Sequence, residues 1–133
     1  MWSLSGRTFV VTGGSKGIGL ATVKSLLAHG ADTVVFCSRS LCAELVADLK
    51  ENFNPHGSQI IHVPCDLSTH EGRMALLDEV KDRVSSLSGL INNLGMNVRK
   101  SVLEQTEPEF HTIMRTNMDS AYFLSKLLFE LFD

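Results

Sequence analysis

Short apolar runs alternate along this chain with longer segments in which apolar residues recur every three or four positions. Thr8-Phe9-Val10-Val11 is the first run, and residues 7–11 read as a buried strand. Residues 17–29 follow with helical spacing: Leu20, Val23 and Leu27 share one face, and Ile18, Ala21, Thr22 and Ser25 another. Gly30 ends that helix as a C-terminal glycine. Thr33-Val34-Val35-Phe36-Cys37 is continuously apolar, as a strand covered on both faces must be. Leu41, Leu45 and Leu49 set the next helix, closed by the turn Asn54-Pro55-His56-Gly57. Gln59-Ile60-Ile61-His62-Val63 is a third strand. Ser68 or Thr69 caps a third helix, with Leu77, Val80, Val84 and Leu87 as its buried stripe. Gly89-Leu90-Ile91-Asn92 is a short fourth strand. A polar loop over 93–106 leads to a long final helix. Thr106 is its N-cap, Pro108 sits in its first turn, and Glu109 completes a capping box. Phe110, Ile113, Met114, Asn117, Ala121, Leu124 and Leu128 lie along one face of it.

Strand and helix therefore alternate four times, with no repeat, linker or low-complexity tract. That order predicts an α/β fold: a Rossmann-type parallel sheet with helices on both faces, forming one domain over 1–133. Right-handed crossovers that reverse direction after the third strand give the strand order 3-2-1-4.

Composition narrows the functional classes. The chain has 133 residues, 44% of them hydrophobic and 20% charged, enough for one domain with a real core. The net charge of −3 offers no cationic excess for nucleic acid. Cys37, Cys42 and Cys65 are too few and too scattered for a disulfide framework, and fit buried thiols in a reducing compartment. Residues 1–6 lack the basic start and apolar run of a secretory signal. No stretch reaches the ~18 apolar residues of a membrane span. The most apolar region, 122–132, is interrupted by Ser125, Lys126 and Glu130. A cytoplasmic chain with no membrane partner is expected. The histidines show no zinc-site spacing, so no metal is expected, and no Gly-x-Ser-x-Gly elbow is present.

The candidate chemistry begins at Thr12-Gly13-Gly14-Ser15-Lys16-Gly17-Ile18-Gly19, between the first strand and the first helix. Glycines there let the backbone turn sharply and let a ligand approach. Free amides and the positive end of the helix dipole then face an anion, in this context the pyrophosphate of a dinucleotide. A Walker-type loop would end in Gly-Lys-Ser/Thr, which Gly17-Ile18-Gly19 does not supply. The second strand ends Cys37-Ser38-Arg39. An NAD-specific site places an acid there to accept from the ribose hydroxyls. A guanidinium cannot accept, but it matches a 2′-phosphate, with Lys16 as a second cation. NADP(H) is therefore expected over NAD(H), the plainer alternative being a solvated strand-end charge. Asp66, after the third strand, can accept from the adenine amine or can serve as a helix N-terminal acid. Asn92-Asn93-Leu94-Gly95 follows the fourth strand, where asparagine side chains tie strand ends together and Gly95 permits close backbone approach.

Over essentially its whole length the chain resembles the short-chain dehydrogenase/reductase family. The resemblance rests on the glycine-rich loop, Cys65-Asp66-Leu67, Asn92-Asn93-Leu94-Gly95 and Asn117, in order and at family spacing. Trp2-Ser3-Leu4 and Cys37-Ser38-Arg39 resemble the tropinone-reductase-like branch, which uses NADPH. The resemblance implies that Gly13, Ser15, Lys16, Gly17, Ile18 and Gly19 wrap the pyrophosphate and adenosine ribose, and that Ser38 and Arg39 hold the 2′-phosphate. It implies that Asp66 and Leu67 flank adenine, that Asn93 and Gly95 border the cofactor, and that Asn117 bends its helix and serves a proton relay. Leu94 stands where family members usually have alanine, which narrows the pocket.

The resemblance also implies hydride transfer to or from a small carbonyl or alcohol substrate. The family's serine and Tyr-x-x-x-Lys pair lie past the asparagine helix, on the fifth strand and the helix after it. Tyr122 and Lys126 match that spacing, but they share a helix with Asn117 and point off its face. The chain is therefore expected to be truncated before the fifth strand and inactive alone. The alternatives are a catalytically silent NADPH-binding module or a nonfunctional fragment. Tyr122, Phe123, Leu127, Phe129 and Phe132 read as a buried or subunit-contacting surface, since the family packs that helix in a dimer contact. A fourth strand left as an edge and an uncovered aromatic patch are the expected physical consequences.

Overall fold

The computed structural model describes residues 2–133. Four parallel strands, β1 (Thr8–Thr12), β2 (Thr33–Ser38), β3 (Gln59–Pro64) and β4 (Gly89–Ile91), form a sheet in the order β3-β2-β1-β4. Helices α1 (Gly17–Ala28), α2 (Ala43–Asn52) and α3 (His70–Arg83) connect them. After β4 come α4 (Glu107–Met114), a π-helical turn (Arg115–Asp119), α5 (Ser120–Leu128) and a 3-10 turn (Phe129–Leu131).

Strand residues alternate between two cores, which is why the strands read as unbroken apolar runs. Val10, Val35, Ile61 and Val63 face α3 and α5, meeting Leu76, Leu77, Val80, Leu124 and Leu128. Val11, Val34, Phe36 and Ile60 face α1 and α2, meeting Val23, Leu27 and Leu49. Each such side chain contributes roughly 1.5–3 kcal/mol on leaving water.

Three expectations are corrected. Leu41 does not begin α2: it is 82% exposed, the helix starts at Ala43 with Cys42 as its N-cap residue, and Leu45, Val46 and Leu49 carry the packing. Val84 and Leu87 lie past the end of α3, whose buried stripe includes Arg73 and Leu76 instead. The last helix has no single buried face. Its capping box forms as expected, with Thr106 accepting from the Glu109 amide and Glu109 accepting from the Thr106 amide. The π turn then adds a residue and rotates the face by roughly 100°. Phe110, Met114 and Asn117, upstream or within that turn, are exposed, whereas Ser120, Leu124 and Leu128 are buried.

β4 ends the sheet, and its outer edge bears one further parallel rung. Leu87 donates to Leu131 O (2.7 Å) and accepts from the Asp133 amide (3.1 Å), which pairs Leu87 with Phe132. The neighbouring amide, Ser88, donates the other way to Thr8 O (2.8 Å), toward β1. Of the aromatic group on and after α5, Tyr122 and Phe129 are 64% and 74% exposed, so this surface is not buried within the chain. With Met118, Ala121, Ser125 and Lys126 they line a shallow apolar groove.

Candidate functional site

A cleft of about 570 Å³ opens at the carboxyl ends of β1, β2 and β3. That is the edge where open parallel sheets bind ligands, and the size suits a small molecule or cofactor. Gly13, Ser15 and Lys16 line it from the loop after β1, Ser38 and Arg39 from the end of β2, Asp66 and Leu67 from the end of β3, and Gly95 from the segment after β4.

The cradle is held from below by a strut between β1 and β4. Thr12 is buried, and its Oγ1 accepts from the amides of Asn93 and Leu94, both at 3.0 Å. The Asn93 side-chain amide donates to Thr12 O and Gly13 O, both at 3.1 Å. Asn93 thus ties the strand ends together, and it does so from beneath the loop rather than from the cleft wall.

The glycines divide into two kinds. Gly13 has φ +63° and Gly17 has φ +55°, left-handed backbone that favours glycine, and a Cβ on Gly13 would also crowd Asn93 Nδ2 at 3.2 Å. Gly14 and Gly19 are needed for packing. A Cβ on Gly14 would lie 2.6 Å from Phe36 Cβ, and one on Gly19 would lie 2.1 Å from Gly13 O. Gly17, Ile18 and Gly19 form the first turn of α1 and do not line the cleft wall. Among the described residues no side chain caps α1. The amides of its first turn are therefore left to an external acceptor, at the positive end of the dipole.

Charge on the walls is mostly positive. Lys16 and Arg39 are joined by Arg115, from the π turn, against the single carboxylate Asp66. The Ser68 hydroxyl, donating to Asp66 Oδ1 at 2.7 Å, holds the Asp66 carboxyl below its ordinary range, aided by the Ser68 amide (3.0 Å) and nearby Arg39. Asp66 closes its own turn in this way. Capping of α3 falls to Thr69, whose Oγ1 accepts from the Gly72 amide at 3.0 Å. Leu67 is fixed by the buried Arg73, whose Nη1 donates to Leu67 O at 2.9 Å. Cys37, Cys42 and Cys65 also reach the cleft. A hydrogen bond to Cys65, and then burial, push the Cys37 thiol far up, so it stays protonated.

Asn117 lies in the π turn and does not line the cleft. Its Oδ1 accepts from the Met96 amide at 2.7 Å and its Nδ2 donates to Met96 O at 2.9 Å. One side chain thereby pins the 95–96 backbone, which does line the cleft, to the last helix. The far wall, Thr112, Arg115 and Thr116, was not singled out from sequence. Its signal was the i, i+3, i+4 spacing just before Asn117. Tyr122 and Lys126 face the outer groove and do not line the cleft.

The residues present fit a dinucleotide: a glycine cradle, unclaimed helix amides, and cations beside the β2 end. Leu94 borders the cleft, and the volume given above is what remains with its side chain in place.

Comparison with known proteins assigns the class. Residues 7–133 match the model of the short chain dehydrogenase family, and the chain belongs to that family. Its curated relatives place it near the tropinone reductases. It is 41% identical over 131 residues to a tropinone reductase homolog of Arabidopsis thaliana, covering 98% of this chain and 48% of that protein. It is 39% identical over 131 residues to senescence-associated protein 13 of the same plant, covering 98% and 48%. Among solved structures, L-sorbose reductase from Gluconobacter frateurii, complexed with NADPH and L-sorbose, superposes with a TM-score of 0.86 at 28% identity, over 95% of this chain and 47% of that one. RhlG from Pseudomonas aeruginosa, in an NADP active-site complex, gives 0.84 at 31% identity, over 97% and 49%. The chain spans about half the length of the curated relatives it matches.

Proposed function

We propose that this chain is the NADP(H)-binding half of an oxidoreductase that moves a hydride between the nicotinamide and a small carbonyl or alcohol. The observation that carries the reading is the placement of Ser38 and Arg39 on the cleft wall, with Lys16 on the same cleft. A guanidinium there pairs with a 2′-phosphate and repels nothing in NADPH, while it offers no acceptor to the ribose hydroxyls of NADH. The matched structures carrying NADPH or NADP support the same cofactor.

When bound, the nicotinamide would give the hydride to a carbonyl or take it from an alcohol. The chain's own residues do the rest of the binding. The α1 amides and Ser15 take the pyrophosphate, Arg39 and Ser38 the 2′-phosphate, and Asp66 and Leu67 the adenine edge. Asn117 holds the 95–96 segment against the cofactor side. A general acid or base for carbonyl chemistry must reach the substrate oxygen. The only tyrosine, Tyr122, lies outside the cleft. We therefore expect tight NADPH binding with little or no ketone turnover by the chain alone. That same observation favours a second reading, a catalytically silent NADPH-binding module. We place the protein in the cytoplasm, without nucleic-acid or membrane partners, and assign the groove on α5 to a second copy of the chain. Sedimentation at rising concentration tests that contact, and a monomer throughout would remove it.

Titration of nucleotide fluorescence with NADPH and NADH, beside a ketone-reduction assay, tests the proposal. Preference for NADPH without turnover supports it. Turnover by the isolated chain would overturn the inactive reading, and no binding of either nucleotide would overturn both readings.

A further inference from the structure

The Ser38 hydroxyl, on the wall assigned above to the 2′-phosphate, is already engaged from behind. Ser38 Oγ lies 2.7 Å from His62 Nε2 and 3.3 Å from Cys42 Sγ, and it donates to Ser40 O at 2.9 Å. His62 is the register partner of Phe36 on the neighbouring strand, and its ring packs against Phe36 at a tilt, with centroids 4.9 Å apart. His62 does not itself line the cleft. A rigid, half-buried imidazole therefore reaches the cleft only through Ser38.

We propose that His62 is a positioning residue for cofactor choice: its Nε2–H donates to Ser38 Oγ, so that the one hydroxyl proton of Ser38 can pass from Ser40 O to the nucleotide 2′-phosphate while Ser38 stays held in place. The inference rests on the reading of Ser38 and Arg39 as the 2′-phosphate site.

Proton bookkeeping carries it. A serine hydroxyl has one proton to give and lone pairs to receive. Phosphate oxygens and Ser40 O only accept. Ser38 can serve a phosphate only by giving it that proton, and a neighbour must then donate to Ser38 Oγ if the bond at 2.7 Å is to survive. A thiol is a weak donor, and Cys42 stands farther off than the imidazole. Burial lowers the pKa of His62, so the ring is neutral at pH 7 and holds one N–H. Placed on Nε2, that N–H fills a lone pair of Ser38 Oγ, so the single hydroxyl proton, given to Ser40 O at 2.9 Å in the free protein, can turn to a phosphate without breaking the bond to His62. NADH presents no phosphate at this position and gains nothing from the arrangement. His62 thus acts on the ratio of the two affinities rather than on both.

The test measures NADPH and NADH dissociation constants for the full chain and for His62→Phe, His62→Gln, Ser38→Ala and the His62→Phe/Ser38→Ala double variant. Phenylalanine keeps the ring packing against Phe36 and removes the donor. Glutamine keeps a donor. One hydrogen bond predicts that His62→Phe and Ser38→Ala each weaken NADPH about three- to tenfold. NADH is expected to stay within about twofold. The double variant is expected to lose no more than the larger single change, because the two residues act as one unit. His62→Gln is expected to retain most of the preference. Losses that multiply in the double variant, an equal loss for NADH, or an unchanged ratio in His62→Phe would each overturn the role of His62. Wild-type protein that binds both nucleotides equally would instead overturn the 2′-phosphate site itself, and this inference with it.

Discussion

Replacing Gly19 with alanine perturbs the cradle at its tightest point. The added Cβ would lie 2.1 Å from Gly13 O and 2.5 Å from Asn93 Nδ2. The first is a backbone atom and cannot rotate aside. The carbonyl must retreat by more than an ångström, and the Asn93 bonds to Thr12 O and Gly13 O, both 3.1 Å, are stretched with it. Overpacking of this kind costs roughly 1–3 kcal/mol, and loss of one such hydrogen bond adds about 1 kcal/mol. Against this, alanine in a helix recovers about 0.5–1 kcal/mol over glycine. The balance is a destabilisation of about 1–3.5 kcal/mol, a large share of the roughly 5–15 kcal/mol that holds a domain folded. Gly17→Ala is the control. It has φ +55° with nothing within 4 Å of the new Cβ, so only the left-handed backbone cost of roughly 1–2 kcal/mol applies. Urea unfolding and NADPH titration of both variants check the difference. Gly19→Ala is expected to lose at least tenfold in NADPH affinity and to be the less stable of the two variants. A Gly19→Ala protein as stable as wild type, with unchanged NADPH affinity, would refute the packing argument.

Three other outcomes follow from the same geometry. Thr12→Val removes the acceptor of the Leu94 amide, leaving it unpaired beneath the loop, and is expected to cost about 1–3 kcal/mol in urea unfolding; Thr12→Ser, which keeps the hydroxyl, should lose less than half of that. Arg39→Asp should weaken NADPH far more than NADH in a fluorescence titration, and equal weakening of both would show that the residue does not read the 2′-phosphate. The Asp66 carboxyl, held low by Ser68 and Arg39, binds its proton less readily folded than unfolded, so its contribution is complete above the ordinary carboxylate range and fades as pH falls through and below it. Asp66→Asn should therefore flatten the acid limb of a stability–pH profile while leaving its alkaline side unchanged, and an unaltered acid limb would deny Asp66 that role.

Much of this was legible because local rules and tertiary packing agree. The unbroken apolar run at 33–37 reflects burial on both faces of β2, and Thr106, Pro108 and Glu109 make the capping box that their spacing implies. The π turn was not legible. Periodicity assumes a constant rotation per residue, so it threaded Phe110, Asn117 and Leu124 onto one face that the extra residue breaks. Leu41 misled because leucine spacing carries no information about where a helix starts. Arg73 was missed because a buried guanidinium is rare, and its reward is a carbonyl acceptor at Leu67 that only the folded turn creates. The loop glycines were read as room for a ligand, yet Gly14 and Gly19 make room for Phe36 and Gly13. Distance along the chain also hid His62, whose meaning comes from the parallel register that sets it beside Phe36 and Ser38.

The central claim, that the amides opening α1 receive a diphosphate, is tested most directly by following backbone amide resonances of the full chain during NADPH titration. The account predicts saturable shifts concentrated at residues 13–19, with a second group at Ser38 and Arg39. Resonances that stay still at saturating nucleotide, or that move only on the outer face of α5, would contradict it.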